Sequence, residues 1–332
     1  MSLEQTQKER FQCEVHELAK WCILQNDVIS KSGEFLPDRK IPHGTTASID
    51  LTVANPALRA RPDRSTPQQK LEIAEMVAAK LRQGIIEKSS APWSSNCVVI
   101  RKDGKTRIAV DYRKLNEVTV HDSYLLPKIS EIYETLSGTE WFTSLDATQA
   151  YHQIPMATEK DKDLTSFVTP DGGLFRYRFM PFGLRNAGAV WSRFIDGALS
   201  DLRWNICLVY ADDCLVYTKH KSVWQHIRDL DQVFQRLRTN AIMIKGSKVK
   251  LGVKELAFLG QIVSKTGYKP DPNKIKAVAE LQPPTNVHQL RRVLGLFAYY
   301  RKYIPRFAEI AAPLYALTGK NVQTSVTLRG AL

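Results

Sequence analysis

Two adjacent aspartates, Asp212 and Asp213, stand in the run Tyr210-Ala211-Asp212-Asp213 between two short apolar segments, Cys207-Leu208-Val209 and Cys214-Leu215-Val216. Like charges side by side repel, and apolar flanks take water away from them. Such a pair is costly unless a cation neutralises it. Asp is also a favoured turn residue, so the motif alone fits a solvated turn as well as a metal site. A third carboxylate shifts the balance. Asp146 ends another apolar run, Trp141-Phe142-Thr143-Ser144-Leu145, 66 residues before Asp212. If that run neighbours the Asp212 hairpin in a sheet, three carboxylates converge. Hard oxygen ligands of this kind suit Mg2+, which binds through carboxylates, water and substrate phosphates. Two such ions about 4 Å apart clamp the attacking and leaving oxygens of an in-line phosphoryl displacement. That chemistry needs no nucleophilic side chain, because the substrate brings its own hydroxyl.

The elements that must position these residues are legible in part. Thr66 reads as an N-cap, with Pro67 in the first helical position and Gln69 completing a capping box. Leu71, Ala74, Val77, Ala78 and Leu81 then form one helical face, which Gly84 ends. Two β-like runs follow, Cys97–Ile100 and Thr106–Val110, and the Asp103-Gly104 between them signals a hairpin. Ile129, Ile132, Tyr133 and Leu136 mark a helix that stops at Gly138, and residues 187–200 read as another. Ile206–Thr218 reads as two strands around Ala211-Asp212-Asp213. Ile227, Leu230, Val233, Phe234 and Leu237 mark a further helix, and Leu256–Lys269 a further hairpin. Two last helices span about 272–281 and 286–302, the second capped by Asn286 with Gln289. Near the N-terminus, Phe11, Val15, Leu18 and Cys22 recur at helical spacing. Ser32-Gly33 and Pro37-Asp38 then read as a linker. Strands and helices mix without regular alternation, which favours an α+β fold over a doubly wound sheet.

Charge points to a partner. The 332 residues carry a formal net charge of +13. Residues 219–332 hold 20 basic and 6 acidic side chains, so the excess lies wholly in the last third. A basic surface fits a polyanion, of which nucleic acid is the commonest, and it fits simple solubility equally well. No stretch of about 18 apolar residues predicts a membrane span. The N-terminus lacks the basic and apolar regions of a secretory signal. Cys13, Cys22, Cys97, Cys207 and Cys214 form no zinc-type spacing and read as reduced thiols. The expected location is therefore cytoplasmic or nuclear, and not secreted.

The ordered motifs carry a resemblance. They are Gly84-Ile85-Ile86 with Ser89-Ser90-Ala91-Pro92-Trp93, then Arg101-Lys102-Asp103-Gly104 with Arg107 and Val110-Asp111-Tyr112-Arg113-Lys114-Leu115-Asn116. Leu145-Asp146, Tyr151-His152-Gln153-Ile154, Met180-Pro181-Phe182-Gly183-Leu184-Arg185-Asn186-Ala187 and Tyr210-Ala211-Asp212-Asp213 follow. Phe258-Leu259-Gly260 and Leu294-Gly295-Leu296 with Tyr299-Tyr300-Arg301 close the series. From about residue 41 to 320 the chain resembles the reverse transcriptase domain of gypsy-type LTR retrotransposon Pol polyproteins. The resemblance implies a right-hand polymerase with an antiparallel, ferredoxin-like palm sheet. It implies fingers over 41–140 with 157–180, a palm over 141–156 and 181–255, a primer-grip hairpin over 256–270 and a thumb or start of a connection over 271–320. Residues 1–40 form an N-terminal extension and 321–332 a tail.

The same resemblance assigns roles. Asp146, Asp212 and Asp213 match the catalytic metal-binding triad for two Mg2+ ions, with Mn2+ as a substitute. Arg107 and Lys102 match the triphosphate contacts, Lys248 a further basic residue near the nucleotide, and Ala147, Phe182 and Gly183 the nucleotide-side backbone. Tyr151 matches a ring that packs under the sugar and leaves no room for a 2′-hydroxyl. Phe258, Leu259, Gly260, Lys265, Lys269, Arg291 and Arg292 match the primer and template grip. The thumb tyrosines read equally as base-stacking or core residues. Implied partners are an RNA or DNA template–primer duplex, dNTPs, and RNase H or integrase parts of a Pol polyprotein, with no membrane. The implied function is RNA-directed DNA polymerase, and the alternative is a catalytically incomplete nucleic-acid-binding relative. Three positions depart from the family pattern: Ala211 for a larger apolar residue, Gly188 for Pro, and Trp191 for a smaller aromatic.

Overall fold

The computed structural model describes residues 16–18, 20–22, 24–25, 27–31, 45–54, 59–102 and 105–319. Strand β1 (Ile29–Ser30) precedes the helix Pro67–Arg82. Thr66 caps that helix as its sequence requires: its hydroxyl accepts from the Gln69 N–H, and its own N–H donates to the Gln69 side chain. Next come β2 (Ile86–Lys88), β3 (Ser95–Lys102), β4 (Lys105–Val110) and the short helices Arg113–Glu117 and Ile129–Thr135. Strand β5 (Trp141–Asp146) leads through a single 3-10 turn, Ala150–Gln153, to the helix Glu159–Leu164. Strands β6 (Phe167–Val168) and β7 (Leu174–Tyr177) precede the helix Ala187–Ala198. Strands β8 (Cys207–Tyr210) and β9 (Asp213–Thr218) form the aspartate hairpin, followed by the helix Val223–Thr239. Short strands β10 (Ile244–Lys245) and β11 (Lys250–Val253) flank the turn Gly246–Lys248.

The chain divides into two compact units, Met1–Leu256 with Ser264–Gly267, and Ala257–Val263 with Tyr268–Leu332. In the first, one sheet is wholly antiparallel in the order β11-β5-β9-β8. A five-stranded sheet in the order β2-β7-β6-β3-β4 joins strands from residues 86–110 and 167–177, with β3 and β6 parallel. The antiparallel sheet is buried almost throughout. Trp141, Phe142, Leu145, Cys207, Leu208, Val209, Cys214, Leu215 and Val216 are at most 5% exposed. Continuous apolar strands of this kind need cover on both faces. The helix Val223–Thr239, with Val233, Phe234 and Leu237 buried, packs on β9, and Ala187–Ala198 packs on β8. Each fully buried Leu or Val side chain contributes about 1.5–3 kcal/mol, so the strand ends are fixed by a stiff core.

Two expectations change. The segment Leu256–Lys269 is not one hairpin but a three-stranded meander, β12 (Glu255–Phe258), β13 (Gln261–Ser264) and β14 (Gly267–Pro270), because Gly267 at φ +118 makes a second turn. The N-terminal residues do more than extend the chain. Val28 and Leu18 are 0% and 2% exposed, and β1 pairs in parallel with β10. The proposed N-terminal helix is described only at residues 16–18 and 20–22, which are helical. Phe11, Val15 and the linker at Ser32-Gly33 and Pro37-Asp38 lie outside the described residues, as does the Asp103-Gly104 tip. In the second unit, the helices Pro272–Ala279, Val287–Tyr300 and Phe307–Ala316 follow β14, and Leu290, Leu294 and Ala311 form its core.

Candidate active site

The two strands that carry the carboxylates are direct neighbours. Asp146, the last residue of β5, stands opposite Asp213, the first residue of β9, and Asp212 is the second residue of the two-residue turn before it. Ala211, the first turn residue, has φ +52, in the left-handed region where glycine is favoured at such hairpin turns. What holds it there is Trp191. That ring is 1% exposed, and its indole N–H donates to the Ala211 carbonyl at 3.1 Å. The two sequence departures, Ala211 and Trp191, are thus partners. The third, Gly188, leaves the Tyr151 hydroxyl 3.8 Å from where a Cβ would sit, which is ordinary contact.

The carboxylates disturb one another as their spacing requires. Burial first, then Asp146 and Asp213, raise Asp212 above the usual carboxylate range, against the pull of Lys248. Burial and Asp146 raise Asp213 in the same way. Oδ1 of Asp212 is buried and has no hydrogen-bond partner. An unpaired buried carboxylate oxygen is costly, and a cation beside it removes the cost. Among the described residues no cluster of three or more His, Cys, Asp or Glu side chains stands ready to hold a metal. Asp146 instead takes the Lys248 ammonium at 2.7 Å on Oδ2, from the turn between β10 and β11. The donor set, carboxylate oxygens with one left unsatisfied, fits a hard divalent cation.

Around the carboxylates the other expected residues fall as follows. The Ala147 backbone bridges Ile244, which fixes the chain just past Asp146. Tyr151 lies with its ring 4.9 Å from Phe182, and burial followed by Asp212 raises its hydroxyl above the usual phenol range. Gly183 has φ +96, and its carbonyl accepts from the Asn116 side-chain amide at 2.8 Å. The Asn116 side-chain oxygen accepts from the Arg185 N–H at 2.8 Å, so one amide clamps both sides of the Gly183–Arg185 loop. Asn116 is a positioning residue that the motif contained without explaining. Arg107 is exposed on β4 opposite Ile100, and Lys102 closes the same hairpin opposite Lys105.

The grip residues divide. Leu259 and Gly260 form the tight turn between β12 and β13, at φ +48 and +89. Within the second unit, Tyr299 donates to the Leu259 carbonyl at 3.2 Å, and Tyr303 bonds Gln261. Tyr300 is buried. These tyrosines therefore hold the turn or fill the core. Phe258 is buried, and Lys269 and Arg292 are exposed. Lys265 pairs with Glu140 at 2.5 Å, and Arg291 donates to the Thr318 carbonyl at 2.7 Å, so both have partners within the chain.

The fold, with its paired carboxylate strands, is the fold of the retroviral reverse transcriptases. Over 92% of this chain and 52% of the other, the fold matches foamy viral protease-reverse transcriptase dRH in complex with double-stranded DNA, at TM-score 0.80 and 24% identity. The same protease-reverse transcriptase in complex with RNA/DNA hybrid matches at TM-score 0.78 and 24% identity, over 92% of this chain and 40% of that one. Residues 99–263, about half of the chain, match the reverse transcriptase (RNA-dependent DNA polymerase) family. Its curated relatives include the retrovirus-related Pol polyproteins from transposons gypsy and 297 of Drosophila melanogaster. The first is 38% identical over 74% of this chain, and the second 36% over 76%. The chain spans about a quarter of the length of these relatives, 24% in each case. Among the described residues no helix is long and apolar enough to cross a membrane.

Proposed function

We propose that the chain is the polymerase core of a reverse transcriptase, extending a primer 3′-hydroxyl with dNTPs on an RNA template. The observation that carries this reading is the cross-strand pair Asp146–Asp213 with Asp212 beside it, one of its oxygens buried and unpaired. Asp146, Asp212 and Asp213 would hold divalent cations, Mg2+ or Mn2+ in its place, and such ions supply positive charge at the reacting phosphate. Lys248 guards Asp146 until then. Arg107 and Lys102 would bind the triphosphate, where a guanidinium suits bidentate contact. Tyr151 would pack under the sugar and select deoxynucleotides, with Phe182 against it. Residues 41–140 with 157–180 would serve as fingers, 141–156 and 181–255 as palm, 256–270 as primer grip and 271–320 as thumb. The basic last third would hold the duplex by its phosphates without reading sequence, as a polymerase requires. RNase H or integrase activities would come from other parts of a Pol polyprotein.

Primer extension on an RNA template with dNTPs and Mg2+ tests the proposal. Extension that Asp212→Asn abolishes supports it. No extension, or extension unchanged in Asp212→Asn, removes it. Salt-dependent duplex binding without extension would mark a non-catalytic relative.

A further inference from the structure

We propose that Lys80 is a positioning residue for sugar selection, fixing His152 in one tautomer and through it the Phe182–Tyr151 ring pair. The inference rests on the reading of Tyr151 as the sugar-facing ring. Lys80 lies in the last turn of the helix Pro67–Arg82, and its ammonium points inward. Burial brings its pKa down to about 8. Lysine is almost never buried without a partner. Here Nζ donates to the Tyr177 hydroxyl at 3.1 Å and lies 3.2 Å from Nε2 of His152.

The geometry fixes the His152 proton. An ammonium has three donors and no acceptor, so Nε2 must accept. The imidazole hydrogen is then on Nδ1, which faces the Met180 carbonyl at 3.0 Å and donates to it. His152 is 3% exposed, and burial keeps it neutral, with a pKa of about 3. Its ring edge meets Phe182 at 5.2 Å in a T-shaped pair, and Phe182 in turn packs on Tyr151 at 4.9 Å. Phe182 is 49% exposed, so the core does not fix it. Two contacts fix it instead, the ring of His152 and the ring of Tyr151. His152 and Tyr151 are consecutive residues of one 3-10 turn, Ala150–Gln153. His152 faces Lys80, and Tyr151, in the reading proposed above, faces the sugar.

Without the Lys80 donor, Nε2 loses its partner and the tautomer with hydrogen on Nε2 becomes accessible. In that tautomer two lone pairs face each other at Nδ1 and the Met180 carbonyl. The Met180–Phe182 segment then loses a tether, and the ring pair under the sugar loosens.

Three variants and one spectrum test this. In single-nucleotide extension, Lys80→Met should lower the dNTP-to-rNTP ratio of kcat/KM by about tenfold, within the range one pocket contact commands. The change should come from a lower KM for rNTP, with kcat for dNTP held within about threefold. Lys80→Gln, which restores a donor, should recover part of the ratio. Tyr151→Ala should relax the ratio by itself. A relaxed Tyr151→Ala beside an unchanged Lys80→Met overturns the role of Lys80 alone. An unchanged Tyr151→Ala overturns the reading of Tyr151, and the role of Lys80 with it. Nitrogen-15 NMR of the wild-type chain gives a check that needs neither activity nor a foldable variant. It should show His152 with hydrogen on Nδ1, and hydrogen on Nε2 overturns the proposal.

Discussion

Trp191→Phe isolates what holds the aspartate turn from beneath. The indole N–H donates to the Ala211 carbonyl at 3.1 Å, and the ring is 1% exposed. Phenylalanine removes the donor and leaves the carbonyl unpaired at the edge of the core. That loss costs about 1 kcal/mol, the low end for a group only partly shielded from water. The smaller ring also opens roughly 40 Å3, which adds about 1 kcal/mol. Together the change destabilises the unit by about 2 kcal/mol. The effect on chemistry is larger. Ala211 sits at φ +52, a conformation worth about 1 kcal/mol of strain for a non-glycine residue, and it persists only while its surroundings impose it. Released, the turn relaxes and carries Asp212, the next residue, out of line with Asp146 and Asp213. A displacement of about 1 Å costs up to about a hundredfold in rate. Urea unfolding followed by circular dichroism reads the stability, and single-nucleotide extension reads the rate. A lower midpoint is expected, with kcat down at least tenfold (about 1.4 kcal/mol) and KM for dNTP nearly unchanged. Stability within about 0.5 kcal/mol of wild type, together with an unaltered kcat, would refute the reasoning.

Three further outcomes are expected. His226 is buried and neutral: the Thr218 hydroxyl, which donates to Asp229, accepts from Nδ1, and Thr143 donates to Nε2. Burial and then Lys254 bring its pKa down to about 3 from 6.5, and His152 is likewise near 3. Each folded-state value is depressed, so each histidine's contribution is full above pH 6.5 and falls away toward pH 3. The loss by pH 5 is about 2 kcal/mol per histidine, and His226→Gln should flatten the urea-midpoint profile over that window. Leu259→Gly, which relieves φ +48 at the turn, should raise the melting temperature of the second unit by a few degrees, worth about 1 kcal/mol. A lower melting temperature would sink that account. Gly252→Ala, at φ +57, would set a Cβ 2.3 Å from Leu18 Cδ1, and it should both strain β11 and dislodge the N-terminal segment. Faster proteolysis near residue 18, partly restored by Leu18→Ala, is the expected readout.

The sequence by itself determined the local parts and named the residues for the proposed chemistry. The capping box at Thr66, the apolar runs ending at Asp146 and framing Asp212, and the helix stops at Gly84 and Gly138 all act within a few positions along the chain. Such signals survive in a linear reading because the forces behind them, capping hydrogen bonds, backbone sterics and side-chain periodicity, are local. The concentration of positive charge after residue 218 was equally legible, since composition needs no geometry. Tertiary structure alone decided which distant groups meet. The register that sets Asp146 opposite Asp213, the Lys248 ammonium arriving across 102 residues, Trp191 beneath Ala211 and Lys80 reaching His152 all depend on how strands pair and helices pack over the sheet. Several single residues changed meaning for the same reason. Lysine, arginine and tyrosine have side chains long enough to serve either a ligand or a neighbour. Packing gave Lys265 to Glu140, Arg291 to Thr318 and Tyr299 to the Leu259 turn. Charge and residue type state what a side chain can bind, and only the folded neighbourhood states what it does bind.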